Sequence, residues 1–149
     1  VLRKIMFMKK FILLLIACVF LSGCENERFN NFNPNIPNYT FTVDINTDLP
    51  LYSSLKFAGN GVYISQGNAG VRGIIVFSIG GGGYNAFDAA CPNQALSSCS
   101  TMIIQGSNAL CPCDEELYNL FTGLGGEGLE FPMKRYRVEV NGPIVRVYN

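Results

Sequence analysis

The chain has 149 residues, with 11 basic and 11 acidic side chains, six cysteines and no histidine. Without histidine, the common general base of enzymes is missing. No serine-centred nucleophile motif and no pair of carboxylates stands out either, so the sequence does not predict an enzyme.

The N-terminus has the three regions of a secretory signal. Four basic residues lie within the first ten positions, and an apolar run of 11 residues follows from Phe11 to Leu21. This run is too short to span a bilayer as a helix. It ends in Leu-Ser-Gly-Cys, which resembles the lipobox of bacterial lipoproteins. The resemblance implies that residues 1–23 are a signal peptide, cleaved before Cys24, and that the Cys24 sulfur is diacylated.

The segment that would remain after cleavage is acidic. It carries seven basic and 11 acidic side chains, a net charge of −4, which argues against binding nucleic acid. Membrane attachment is expected through the lipid on Cys24, since several acyl chains anchor more stably than one. We therefore expect a cell-envelope lipoprotein on the periplasmic or surface face, in the outer membrane. The sequence names no protein partner.

Residues 24–38 are predicted to be a tether. After Cys24 they contain six asparagines and two prolines and show no apolar period. Such a composition does not bury enough apolar surface to fold by itself. Residues 39–149 are long enough for one domain with one core.

This domain is predicted to be all-β. Residues 39–45 alternate between polar and apolar, and residues 71–79 are rich enough in β-branched side chains for a strand covered on both faces. Residues 80–83 are four glycines. They predict a turn into a return strand rather than a phosphate loop, because no helix follows them. Residues 49–59 hold at most one helical turn.

The last hairpin is the clearest one in the sequence. Asn141-Gly142 is a dipeptide preferred by two-residue type I′ turns. In that register Val138 lies opposite Val145, and Arg137 lies opposite Arg146.

Four cysteines lie between the glycine run and this hairpin. They are Cys91, Cys99, Cys111 and Cys113, and the last two form a C-P-C motif. An even number of cysteines in an oxidising compartment predicts two disulfides.

The segments around these cysteines resemble Rieske iron-sulfur domains. The stretches that carry the resemblance are "YNAFDAACPN", "CPCDEELYNLFTG" and "FPMKRYRVEVNGPIVRV". The family consists of small antiparallel β-sandwich or barrel domains with a [2Fe–2S] cluster between two cysteine-bearing loops, each loop giving one thiolate and one imidazole. The chain is similar in particular to Rieske-like lipoproteins of the Bacteroidetes type, for which the resemblance supplies no function.

The resemblance implies specific positions for the cluster ligands. Cys91 and Cys111 match the two cysteine ligands, whereas Asn93 and Asp114 stand where the two histidines should be. The glycine that follows the second histidine is replaced by Glu115. A neutral amide is a weak donor for a site that prefers thiolate or imidazole. The sequence therefore excludes a conventional Rieske cluster.

Three hypotheses follow for the four cysteines. The first is a structural or binding module with no cofactor and no metal, stabilised by disulfides. The second is an electron-transfer protein with a [2Fe–2S] cluster or zinc on Cys91, Cys99, Cys111 and Cys113, although such sites favour C-x-x-C pairs. The third is a thiol oxidoreductase, but C-x-x-C is missing and the acidic residues 114–116 disfavour a thiolate.

Under the first hypothesis the resemblance implies the pairing of the cysteines. Cys99 and Cys113 resemble the extra pair that links the two loops in respiratory Rieske proteins. Cys91 and Cys111, as former ligands of one iron, would lie near bonding distance without it. A bridge between Cys111 and Cys113 would close a very small ring. A bridge between Cys91 and Cys99 beside a reduced C-P-C pair stays open, because the first loop is long.

Overall fold

The computed structural model describes residues 29–149, so the predicted signal peptide and Cys24 lie outside the described residues. The described residues contain antiparallel strands and one short 3₁₀ helix, Ser53–Lys56. The prediction of an all-β fold with two cysteine-bearing loops is confirmed. No helix in this range has the length and apolar character that a membrane crossing requires.

Nine strands form three sheets within the described range. In chain order the strands are β1 (Thr42–Asn46), β2 (Gly61–Ile64), β3 (Ile74–Gly80), β4 (Gly83–Asp88), β5 (Ile103–Gln105), β6 (Asn108–Leu110), β7 (Leu117–Asn119), β8 (Arg137–Asn141) and β9 (Ile144–Tyr148). We call them the terminal sheet (order β1-β9-β8), the central sheet (β2-β3-β4) and the small sheet (β5-β6-β7).

The middle strand of the central sheet, β3, is buried on both faces from Ile74 to Ser78, as the sequence predicts for this segment. Successive side chains of a strand point to opposite faces. Ile74 and Val76 belong to one core that also contains Val145 and Val147 of the terminal sheet. Ile75 and Phe77 pack into a second core, which contains Cys91, Met102, Ala109, Cys111, Tyr118 and Leu120. The cysteine loops therefore rest on a buried apolar layer.

The glycine run forms the turn between β3 and β4. Gly80 pairs with Gly83, and the two residues between them have φ angles of +62° and +79°. A type I′ turn needs positive φ at both central positions, which glycine adopts without steric cost. The prediction of a hairpin here is confirmed.

The predicted register of the last hairpin is wrong by two positions. Val138 pairs with Val147, and Glu139 rather than Arg137 lies opposite Arg146. In the predicted register Pro143 would close the turn, but proline has no N–H for the closing hydrogen bond. The turn therefore shifts by one residue to Gly142-Pro143, with φ of +57° at Gly142.

The predicted tether also differs from the structure, because its last residues pack against the domain. The compact unit is Asn31–Asn149. Ile36 is buried, and the amide groups of Asn33 and Asn35 both donate to the carbonyl of Pro92, at 3.0 Å each. Composition describes the segment by itself and does not reveal hydrogen bonds to residues far along the chain.

Lys134 also binds residues of this segment. Its side chain is 2% exposed, and its ammonium donates to the carbonyl of Asn31 and to the side chain of Asn38. Burial lowers the pKa of Lys134, while the negative charge of Asp88 opposes that shift. Residues 31–38 thus supply the oxygen atoms that a buried cation needs.

Candidate functional site

The first cysteine loop begins directly after a buried carboxylate. Asp88, the last residue of β4, is fully buried. Its oxygens accept the backbone N–H groups of Val71 at 2.6 Å and Ala90 at 2.7 Å, and the hydroxyl of Tyr136 at 2.7 Å. Burial, reinforced by the neighbouring carboxylate, raises the pKa of Tyr136 far above its usual range, so this hydroxyl remains a donor. The start of the loop is fixed by these bonds.

Backbone hydrogen bonds close the base of the first loop. Cys91 N–H donates to the carbonyl of Ser100 at 2.9 Å, and Met102 N–H donates to the carbonyl of Ala89 at 2.7 Å. The intervening residues, from Ala95 to Cys99, are exposed. The loop therefore has a buried root and an exposed tip.

The second cysteine loop is a tight turn at the start of β7. Cys111 N–H donates to the carbonyl of Glu116, and Glu115 N–H donates back to the carbonyl of Cys111, both at 2.9 Å. Asp114 is exposed, and its carboxylate accepts Glu116 N–H at 3.1 Å. Glu115 has a φ of +61°, the left-handed region that favours glycine.

Two disulfides join the loops, with the pairing that the resemblance implies. Cys91 bonds to Cys111, with Cα atoms 5.6 Å apart, and both residues are fully buried. Cys99 bonds to Cys113, with Cα atoms 5.2 Å apart. Cys99 is exposed and Cys113 is half-buried. One bridge thus lies in the core and the other at the surface.

Polar side chains of the first loop contact the sulfur atoms. Gln94 Nε2 donates to Cys111 Sγ at 2.9 Å. Ser97 Oγ lies 3.2 Å from Cys99 Sγ and 3.5 Å from Cys113 Sγ, and Ser100 Oγ lies 3.9 Å from Cys113 Sγ. The carbonyl of Ser97 is itself held by the guanidinium of Arg72 at 2.9 Å.

Three of the four sulfurs form a compact group. The Sγ atoms of Cys91, Cys111 and Cys113 all lie within 4.8 Å of one another, and Cys99 lies outside this group. The two bridges are therefore in near contact through Cys113.

Asn93, at the position of the first missing histidine, is engaged by the protein itself. Its Nδ2 donates to the Tyr118 hydroxyl at 2.9 Å and to the carbonyl of Phe131 at 2.7 Å. Its Oδ1 accepts Phe131 N–H at 2.8 Å. Burial raises the pKa of Tyr118, against the opposing effect of the bond from Asn93. Asn93 links the first loop to β7 and to the segment before β8.

The donor atoms do not fit a Rieske cluster. The two cysteines that match its ligands are bonded to each other, and the Asn93 amide uses both of its polar atoms in hydrogen bonds. Asp114 lies at the surface with a bond to its own loop. The chain offers no imidazole.

Several residues that shape the site do not stand out in the sequence. Gln94, Ser97 and Ser100 belong to a polar loop with no motif, so nothing marks them as contacts of sulfur. Asp88 gives a weak signal, because it is a charged residue at the end of an apolar strand. Tyr118 fits the expectation of core packing, but its hydroxyl partner Asn93 is 25 residues away.

No family model matches the sequence, and a search of curated proteins finds no match either. Solved structures with similar chain arrangements include the complex of reduced oxygenase and oxidized ferredoxin in carbazole 1,9a-dioxygenase. That chain is 19% identical, with 72% of this chain and 92% of that chain covered and a TM-score of 0.48.

Two further solved structures are similar. The Sphingomonas yanoikuyae B1 ferredoxin is 18% identical, with 62% and 88% of the two chains covered and a TM-score of 0.44. A chain named as an NADH-dependent nitrite reductase small subunit from Mycobacterium tuberculosis is 14% identical, with 75% and 97% covered and a TM-score of 0.47. Likeness at these values supplies no argument about function, which must come from this chain's own residues.

Proposed function

We propose that the chain is a membrane-anchored lipoprotein of the cell envelope whose domain is a degenerate Rieske-like module. The module binds no cluster and has no enzymatic activity. It acts as a structural or protein-binding unit, and disulfides hold its two loops together.

The single observation that supports this proposal is that the Asn93 side-chain amide is fully hydrogen-bonded within the protein. At a ligand position its amide has become a cross-link between three parts of the chain, through Tyr118 and Phe131. Freeing it to face a metal would break three hydrogen bonds, each worth about 1 kcal/mol. A bond from the Asn93 amide oxygen to a metal would not offset that loss, because this oxygen is a weak donor.

The disulfides supply the clamp that a cluster would otherwise provide. The bridge from Cys91 to Cys111 closes a loop with a sequence separation of 20 residues, and the bridge from Cys99 to Cys113 spans 14. In the chain-entropy model each closure stabilises the fold by about 3 kcal/mol before strain is deducted. Disulfides persist in oxidising compartments, which agrees with the predicted secretory signal.

The proposal is tested on the full chain purified anaerobically without a metal-binding tag. We expect a colourless protein with no stoichiometric iron, zinc or acid-labile sulfide. Cys91→Ser and Cys111→Ser variants are the matched controls, because metal that survives both substitutions is not held by this site. A brown protein with two irons per chain, lost in these variants, would overturn the module in favour of electron transfer. Zinc lost in the same way would overturn it too.

A further inference from the structure

We infer that the two disulfides form a redox relay, in which reduction of the surface bridge is passed on to the core bridge. The external partner is a dithiol, either a small molecule or a protein with paired thiols. This activity goes beyond the proposed structural role and does not depend on the lipid anchor.

The two bridges differ in their access to solvent. Cys99 is exposed, whereas Cys91 and Cys111 are fully buried. A thiolate from solvent can approach the Cys99 sulfur but not the core sulfurs. Attack on Cys99 releases Cys113 as the leaving thiolate.

The released Cys113 sulfur lies close to the core bridge. Cys113 Sγ lies within 4.8 Å of both core sulfurs, so a small side-chain rotation brings it to attack distance. The hydroxyls of Ser97 and Ser100 lie beside it and can donate to a thiolate. The sequence alone would not suggest a thiolate at Cys113, because the acidic residues 114–116 that follow it disfavour a negative charge there.

A hydrogen bond to one of the core sulfurs sets the direction of exchange. Gln94 donates an N–H to Cys111 Sγ at 2.9 Å, and a hydrogen bond to sulfur stabilises Cys111 as a leaving thiolate. Exchange is faster when the leaving thiolate is more stable. Attack on Cys111 itself would also close the very small ring between Cys111 and Cys113. The Cys113 thiolate therefore attacks Cys91.

The step balances in bonds and electrons. One thiolate of the dithiol bonds to Cys99 as the surface bridge breaks. Its second thiolate then displaces Cys99, so the dithiol leaves as a disulfide that has given up two electrons. Cys113 bonds to Cys91 as the core bridge breaks. The product has one bridge, between Cys91 and Cys113, and two thiols, at Cys99 and Cys111.

The test maps disulfides in the full chain before and after one molar equivalent of dithiothreitol, with thiols trapped by alkylation. Residues 73–133 contain no lysine or arginine, so chymotrypsin replaces trypsin and separates Cys91, Cys99 and the C-P-C pair. Fragmentation within the last peptide distinguishes Cys111 from Cys113. An untreated chain without the two starting bridges would contradict the proposed module as well. Starting bridges with no exchange would contradict the relay alone.

After reduction we expect a peptide linking Cys91 to Cys113, with Cys99 and Cys111 alkylated. Alkylation of Cys99 and Cys113 beside an intact core bridge would overturn the relay. The double variant Cys99→Ser with Cys113→Ser should release the Cys111 thiol at least tenfold more slowly than the native chain. Equal release rates in the two proteins, both folded by circular dichroism, would also overturn it.

Two single variants test the relay even if the double variant does not fold. Cys99→Ser leaves Cys113 as a thiol and should give the link between Cys91 and Cys113 without any reductant. Gln94→Leu should slow the appearance of the Cys111 thiol by about tenfold or more, the effect of one hydrogen bond to a charged group. Gln105→Leu, at an exposed position of β5, is its control. An unchanged rate in Gln94→Leu would contradict the assigned direction of exchange.

Discussion

Asn93 uses all of its amide group to hold the first cysteine loop in place. Its two polar atoms make three hydrogen bonds, to Tyr118 and to the backbone of Phe131. The sequence predicts that this residue is unsuited to bind iron, and that conclusion depends only on amide chemistry. The partners could not be predicted, because Tyr118 and Phe131 are 25 and 38 residues away and no sequence pattern pairs either of them with Asn93.

Replacing Asn93 by alanine should destabilise the domain by about 1–3 kcal/mol. The substitution leaves the N–H and carbonyl of Phe131 and the Tyr118 hydroxyl without their partner, and unsatisfied groups in a partly buried site are costly. Urea unfolding with both disulfides intact measures the change. Asn141→Ala, at an exposed position in the last hairpin, is the control. A loss in Asn93→Ala no larger than in this control would contradict the cross-linking role.

The C-P-C loop keeps a backbone shape that suits glycine although it has none at the bend. Glu115 adopts a φ of +61° there. The resemblance noted in the sequence places a glycine at this position, so the structure explains in physical terms why that residue type belongs there. Left-handed backbone costs a residue with a side chain about 1–2 kcal/mol.

Glu115→Gly should therefore stabilise the domain by up to about 1 kcal/mol. The gain is the relieved backbone strain minus the greater chain entropy of glycine, which costs about 0.5–1 kcal/mol. The urea midpoint should rise with an unchanged slope. Glu127→Gly serves as the control, because Glu127 is exposed and is not among the residues with positive φ. A midpoint that falls in both variants would show that strain at Glu115 is negligible.

The local sequence pattern predicts the longer strands of this fold. It does not predict elements that depend on contacts between residues far apart in the chain. The β-branched run of β3 and the glycine turn after it mark the central sheet clearly. β5 and β6 have only three residues each, too few to show an alternation, and neither is expected as a strand. In the last hairpin the preference of Asn-Gly for a type I′ turn loses to the missing N–H of Pro143. Residues 31–38 have a polar composition, but their amide groups bind the domain.

The molecule as a whole stacks its terminal sheet on one face of the central sheet and the small sheet with the cysteine loops on the other. Each face has its own apolar core. The cysteine loops therefore sit on a scaffold that apolar packing and backbone hydrogen bonds between strands hold together. The proposed membrane attachment depends on Cys24, which lies outside the described residues.

Cys24→Ser should abolish labelling of the cell-expressed protein by a clickable fatty acid and release it from the membrane fraction. The predicted lipid is carried by that sulfur alone, and no other attachment is expected from an acidic chain. Cys18→Ser is the control and should keep the label, since Cys18 lies in the predicted signal peptide, before the expected cleavage site. Labelling of Cys24→Ser, or none in the native protein, would contradict the lipoprotein assignment.

The two disulfides determine where the protein can mature. Bridges between Cys91 and Cys111 and between Cys99 and Cys113 need only an oxidant. A chain that crosses a membrane unfolded, as its signal sequence predicts, can close this pair of loops on the far side. For the proposed module, maturation of the domain would therefore require an oxidant and no iron.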